Sequence, residues 1–259
     1  MKVVWIGAGN LATQLGVALA RAGHETLQVF SRTEASASAL SARLHCAATN
    51  RVEDILTGAD VYVFSLKDSV LEELVARIAP RVGEAICLHT AGSMPLDVFR
   101  GYAARYGVCY PMQSFSRTVD VDFREIPCFV EASDEASLAQ VRQLAESVSG
   151  RVMEMSTAKR HYLHLAAVFA CNFANHCYAL SAEVLEKEGI PFDVMLPLID
   201  ETARKVHRIA PREAQTGPAV RYDRNVIDKQ MDLLADDEGL QELYGLMSQS
   251  IHRLALQNE

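Results

Sequence analysis

A chain of 259 residues, 49% hydrophobic and 22% charged, holds enough apolar material for a buried core, which excludes disordered and collagen-like classes. At roughly 100–200 residues per domain, the length suggests two modest domains. A net charge of −8, with no cluster of Lys and Arg, lacks the basic footprint that a nucleic-acid polymer needs.

The run Leu165–Cys171 is the longest apolar stretch and falls far short of the ~18 residues that span a bilayer, so no membrane partner is expected. The opening Met1–Gly7 breaks into glycine too early for the ~7–15-residue apolar core of a signal peptide. The six cysteines include no C-x-x-C pair and sit mostly in apolar runs, as reduced core thiols do. Together these features predict a cytoplasmic protein.

In chain order, strand-like runs at Val3–Ile6, Thr26–Phe30, Val61–Phe64, Ala85–Leu88, Gly107–Cys109, Cys128–Val130 and Val152–Met155 alternate with helical patterns. Those patterns are Leu11–Ala22, Ala35–Leu44, Ser69–Ala79, Pro95–Tyr106 and Glu135–Val148. Such alternation builds βαβ units and a parallel sheet covered on both faces. Beyond residue 156 only helical patterns remain: Lys159–Glu188, Phe192–Ile209, Asp223–Ala235 and Gly239–Gln257, with Pro197 set to start, kink or divide the second. The predicted class is α/β, with a Rossmann-like parallel-sheet domain over residues 1–155 followed by an all-helical domain over 156–259.

The segment Gly7-Ala8-Gly9-Asn10-Leu11-Ala12 joins the first predicted strand to the first predicted helix. In that context G-x-G-x-x-G/A reads as a dinucleotide turn. Gly7 allows the tight turn, Gly9 lets a pyrophosphate approach the backbone, and the N–H groups of Asn10 and Leu11 meet it at the helix N-terminus. After the second strand, Ser31-Arg32-Thr33 replaces the carboxylate that would receive an NAD ribose. Arg32 offers a planar fork of donors to a 2′-phosphate, which favours NADP over NAD, although Glu34 nearby also suits a solvated arginine. Ser65, Leu66 and Lys67, after Val61–Phe64, lie at the same carboxyl edge and suit contact with the nicotinamide side.

Two more strand-end loops, His89–Ser93 and Tyr110–Ser116, open toward that edge. His89 is a candidate general acid and Ser93 a candidate donor to a carbonyl or carboxylate, while Tyr110, Gln113 and Ser114 are weaker candidates. On the helix after Lys159, a wheel of ~100° per residue gathers His161, His164, Val168, Asn172, Asn175 and His176 within about 60° of one line. The opposite arc is apolar. Amides and histidines on such a face suit a cleft or a subunit contact, and equally a polar seam inside a helix bundle. The i, i+3 spacing of His161 and His164 would suit one ion, but no third ligand type accompanies them and His176 is about three turns away, so no metal site is assigned. The segment Gln215–Asp223 reads as a connector or as a cap on the cleft of its own or a neighbouring subunit.

These residues together resemble one bacterial family. Its members carry a Rossmann-like domain and a C-terminal domain of unknown function, of the DUF2520 type, and many are labelled NADP oxidoreductases. The resemblance rests on Gly7–Ala12, Ser31-Arg32, His89–Ser93, Tyr110–Phe115, His164–Ala170 with Asn172 and Asn175-His176, and Gln215–Pro218 with Arg221 and Asp223, and runs nearly end to end. More distantly the chain is similar to pyrroline-5-carboxylate reductases, F420-dependent NADP reductases and 6-phosphogluconate/β-hydroxyacid dehydrogenases, whose helical C-terminal domain often dimerises. The β-hydroxyacid dehydrogenases place a lysine on the cleft-facing helix, with an asparagine one turn later. Here Lys159 points away from the polar face and is followed at i+4 by Leu163, so that acid–base pair is missing.

The resemblance implies hydride transfer between the nicotinamide of NADP and a small C=N or C=O substrate. His164 or His89 would supply the proton, and Asn172 and Ser93 would orient the substrate. A homodimer through the helical domain is expected. The alternative is a non-catalytic NADP-binding module that reports nucleotide state to a partner.

Overall fold

The computed structural model describes residues 1–119 and 121–257. Among the described residues the first half alternates β1 (Lys2–Ile6), α1 (Asn10–Arg21), β2 (Glu25–Phe30), α2 (Glu34–Leu44), β3 (Ala47–Thr49), β4 (Val61–Phe64) and α3 (Asp68–Ile78). It continues with β5 (Ile86–His89), β6 (Arg105–Pro111), β7 (Cys128–Ala132), α4 (Glu135–Glu146) and β8 (Val152–Glu154). The eight strands form one sheet in the order β3-β2-β1-β4-β5-β6-β7-β8, parallel except for the β6–β7 pair.

Alternation along each strand divides the core. In β1, Val3 and Trp5 join the cluster under α1, α2 and α4, whereas Val4 and Ile6 join the one under α3. Both faces are therefore covered, as a parallel sheet requires. The strand order reverses between β1 and β4, where Ile6 lies opposite Phe64. At such a switch point the crossover helices leave on opposite faces, opening a crevice at the carboxyl edge.

Two parts of the α/β half differ from the sequence expectation. The short edge strand β3 is only Ala47-Ala48-Thr49, with a single β-branched residue and no apolar alternation to announce it. Pro95–Tyr106, expected as a helix, forms only a 3₁₀ turn at Leu96–Phe99, and the chain is then strand from Arg105. Phe99 is wedged among Phe64, His89 and Tyr106, while Gly101 at φ +84° reverses the backbone. Packing and a left-handed glycine override the helical periodicity here.

After β8 come α5 (Thr157–Ala167), a π-helical segment over Val168–Phe173, and α6 (Ala174–Lys187). The expected single helix is thus interrupted by a turn with one extra residue. The chain falls into two compact units, Met1–Cys177 and Tyr178–Glu259. Strands end at Glu154, but α5 belongs to the first unit. Its Leu163 packs with Met153 and Met155 against Tyr110 and Phe129.

The second unit contains the rest of α6, then α7 (Leu196–Lys205), α8 (Pro211–Ala214), α9 (Arg224–Asp232) and α10 (Glu238–Leu256). Pro197 lies in the first turn of α7 and so starts that helix, where its missing N–H costs nothing. Tyr222, at φ +51°, stacks on His252, whose Nδ1 bonds to the carbonyl of Val220. Among the described residues no helix is long and apolar enough to cross a membrane.

Candidate active site

The glycine-rich turn sits at the switch point because nothing larger fits. Gly7 has φ +116°, and a Cβ there would lie 2.1 Å from the carbonyl oxygen of Ser65 at the end of β4. Gly9 caps α1 without any side-chain hydrogen bond, its missing Cβ faces open space, and the first turn carries no acidic residue. The amides of that turn are therefore available to an anion, with the helix dipole favouring negative charge.

A cavity of about 630 Å³ opens from this turn. Its walls include all eleven residues expected to hold a dinucleotide: Gly7, Ala8, Gly9, Asn10, Leu11, Ser31, Arg32, Thr33, Ser65, Leu66 and Lys67. Arg32 is exposed and makes no hydrogen bond or ion pair among the described residues, Glu34 included. The donor set fits a dinucleotide phosphate chain with a further phosphate on the ribose. One cation of the cavity is absent from the sequence reading. Arg117 lines it, donating from Nη2 to the carbonyl of Ala8 at 2.7 Å.

The loop bearing Arg117 is latched onto α1. Asn10 Nδ2 donates to the carbonyl of Phe115 at 2.9 Å, and Gln14 Nε2 donates to those of Ser116 and Val119 at 2.7 and 3.0 Å. One signal was there to find, since Ser116-Arg117-Thr118 repeats the tripeptide Ser31-Arg32-Thr33.

Tyr110, from β6, and His164, from α5, also line this cavity. The Tyr110 hydroxyl and His164 Nδ1 are 3.1 Å apart, and the rings meet edge to face. Burial pushes the Tyr110 phenol up, against the pull of the nearby Arg160 guanidinium. Gly92 is required here by contact: a Cβ would come within 2.6 Å of His164 Nδ1 and 2.9 Å of the Tyr110 ring.

Arg160, one helical turn before His164, fixes the start of α5. It is 1% exposed and donates to Glu131 on β7 at 2.6 Å and to the carbonyl of Met94 at 2.7 Å. Glu131 also accepts from the backbone and hydroxyl of Thr157. Apart from Nε, which is buried without a partner, the Arg160 guanidinium is hydrogen bonded through both terminal nitrogens, which offsets part of its desolvation and holds α5 against β7.

Two expected catalytic residues, His89 and Ser93, stand differently from the sequence reading. His89 is corrected, because its ring is fully buried at the end of β5, where its Nε2 donates to the carbonyl of Pro95, its Nδ1 accepts from Ala91 N–H, and it stacks on Phe99. Burial, reinforced by Arg160 and opposed by the Pro95 carbonyl, pushes it down to about 3, so it stays neutral near pH 7 and its one N–H proton is committed to Pro95. Ser93 does line the cavity, but its hydroxyl donates to the Asp68 carboxylate at the start of α3 and is not free to donate to a substrate. Asn172 lines a neighbouring cavity that shares Tyr110 and His164 with the first. His161, Asn175, His176 and Lys159 line neither cavity.

The depressed His89 has a measurable consequence. Below its ordinary value of 6.5 the unfolded chain takes up a proton that the folded chain refuses, so its contribution to stability is full above that pH. That contribution falls by about 1.4 kcal/mol per pH unit as pH drops toward 3. His89→Gln, which keeps a donor for Pro95, is expected to remove this part of the acid slope in urea unfolding; an unchanged slope contradicts the assignment.

A Rossmann-like domain model matches residues 1–112, and the model of a domain of unknown function, DUF2520, matches residues 126–251. The chain is similar to a Bacteroides fragilis protein named a candidate NADP oxidoreductase, with 51% identity, 97% of this chain and 98% of that one covered, and a TM-score of 0.95. It is also similar to a Thermotoga maritima protein, at 22% identity over 98% of this chain and 99% of that one, with a TM-score of 0.81. A Myxococcus stipitatus imine reductase in complex with NADP+ shares the fold at 16% identity, over 100% of this chain and 95% of that one, with a TM-score of 0.67. No curated protein matches the chain. The chain belongs to the family that joins a Rossmann-like domain to the DUF2520 domain of unknown function.

Proposed function

We propose that this chain is an NADP-dependent oxidoreductase that reduces a small C=N or C=O substrate. One observation carries the reading. A single cavity runs from the glycine turn and Arg32 to the hydrogen-bonded pair of Tyr110 and His164. Similarity to the Bacteroides protein and to the imine reductase fold agrees with it.

In this reading the amides of α1 and Arg117 take the pyrophosphate, Arg32 with Ser31 and Thr33 takes the 2′-phosphate, and Ser65–Lys67 border the nicotinamide half. NADPH, when bound, supplies a hydride to the substrate carbon. His164, in its imidazolium form, gives its Nδ1 proton to the Tyr110 oxygen while the Tyr110 hydroxyl proton passes to the substrate nitrogen or oxygen, and regains a proton from solvent after the product leaves. The double bond is thus reduced by one hydride and one proton, and Tyr110 ends as it began. Steady-state NADPH consumption against a panel of imines and ketones tests the reaction. Saturable consumption with at least one is expected, and none with any acceptor, despite tight NADPH binding, contradicts it.

The reading extends to a cytoplasmic homodimer. Its support is apolar surface on the helical half: Tyr162, Leu165, Phe169 and Phe173 are 49–77% exposed, and the last two rings pack edge to face. Contiguous apolar surface of this kind marks a contact site. Sedimentation equilibrium is expected to give a dimer at micromolar concentration; a monomer there contradicts this part.

A further inference from the structure

We infer that the substrate carries no anionic group, being an imine or ketone with an apolar body that occupies the second cavity beside Tyr110 and His164. This rests on the hydride-transfer reading. The cavity holds about 520 Å³, within the roughly 300–1,000 Å³ of small-molecule sites. It shares Tyr110 and His164 with the nucleotide cavity, so a ligand in it would abut the proton-donating pair.

The two cavities differ in charge. The nucleotide cavity presents Arg32 and Arg117 where phosphates would lie, with Lys67 and Asp68 on the nicotinamide side. The second has no Lys, Arg, Asp or Glu among its lining residues; Met112, Leu163, Ala167 and Ala170 form much of its surface. Its polar groups besides the shared pair are the neutral side chains of Gln113, Ser114 and Asn172. Gln113 Oε1 already accepts from Ser114 N–H at 2.8 Å, which leaves the amide NH2 as a donor.

Asn172 reaches this wall through the π segment. A continuous α-helix would place it about 80° around the axis from His164, and a turn with an extra residue winds it back toward the same line. Both residues border the cavity. The nearest buried cation, Arg160, is spent on Glu131, Met94 and Thr157. A substrate carboxylate or phosphate would therefore lose water without gaining a Lys or Arg partner, and pairing it with His164 would withhold that side chain from proton transfer, whereas an apolar ring with one polar C=N or C=O group matches both the walls and the amides.

The test uses the protein loaded with NADP+ and ligand-observed NMR with two rings, a cyclic imine and the same imine bearing a carboxylate beside the C=N carbon. A cyclic ketone and its keto-acid counterpart repeat the comparison. The uncharged member is expected to bind at least about tenfold tighter. In Ala167→Arg, which adds a cation to the wall, that preference is expected to shrink or invert. Equal or tighter binding of the carboxylated member to the unaltered protein overturns the inference, as does binding of neither. Preferential binding without NADPH consumption upholds it and overturns the hydride-transfer reading. Equal kcat/KM for both members does the reverse.

Discussion

His164→Ala is expected to lower turnover by about 10²–10⁴-fold while leaving NADPH affinity within about twofold, because general acid–base groups contribute that much and His164 is not among the residues that would hold the phosphates. Tyr110→Phe keeps the ring that packs on Phe129 and removes only the hydroxyl 3.1 Å from His164 Nδ1, so it is expected to lose turnover similarly. Gly92→Ala adds an independent check. Its methyl would intrude within 2.6 Å of His164 Nδ1 and is expected to displace the imidazole, lowering turnover on its own. Combined with His164→Ala it should cost little more, since the two changes disable one element. Full turnover in His164→Ala removes that side chain from the mechanism.

Arg32→Ala is expected to weaken NADPH by about 10–100-fold, the worth of a charge-assisted hydrogen bond of ~1.5–3 kcal/mol, while NADH changes by less than about threefold. Arg32 has no competing partner among the described residues, so its loss removes ligand contacts without unsettling the fold. Arg117→Ala is expected to behave differently. Its guanidinium rests on the carbonyl of Ala8 inside the phosphate turn, a part of the ligand common to both nucleotides. Both affinities should therefore fall by similar factors. Fluorescence titration of each variant with NADPH and NADH distinguishes the two roles. Equal loss of both nucleotides in Arg32→Ala contradicts the 2′-phosphate assignment.

The parts of this site that sequence reveals are those set by local geometry. Gly7, Gly9 and the start of α1 are legible because a tight turn and an uncapped helix N-terminus depend on neighbouring residues alone. Seven of the eight strands are legible for the same reason, being short apolar runs, whereas β3 is not.

What sequence hides depends on distant packing. His89 and His164 look alike as candidate acids, yet His89 is enclosed by Phe99 and the Pro95 carbonyl whereas His164 borders both cavities. Arg117 matters only because Asn10 and Gln14, more than a hundred residues earlier, hold its loop against α1. The wheel that grouped Asn172 with three histidines assumed an unbroken α-helix. The π segment invalidates that phase beyond Val168, and of the predicted polar face only His164, Val168 and those residues before it keep their expected spacing.

The most direct test of the account follows a label from the nucleotide to the product. NADPH deuterated at C4 of the dihydronicotinamide, incubated with the protein and a cyclic imine, is expected to place one deuterium on the former imine carbon from one face of the ring only. Its rate should collapse in His164→Ala. Saturable NADPH binding without any deuterium in the amine, across the imines and ketones tried, would contradict the account and leave a nucleotide-binding module in its place.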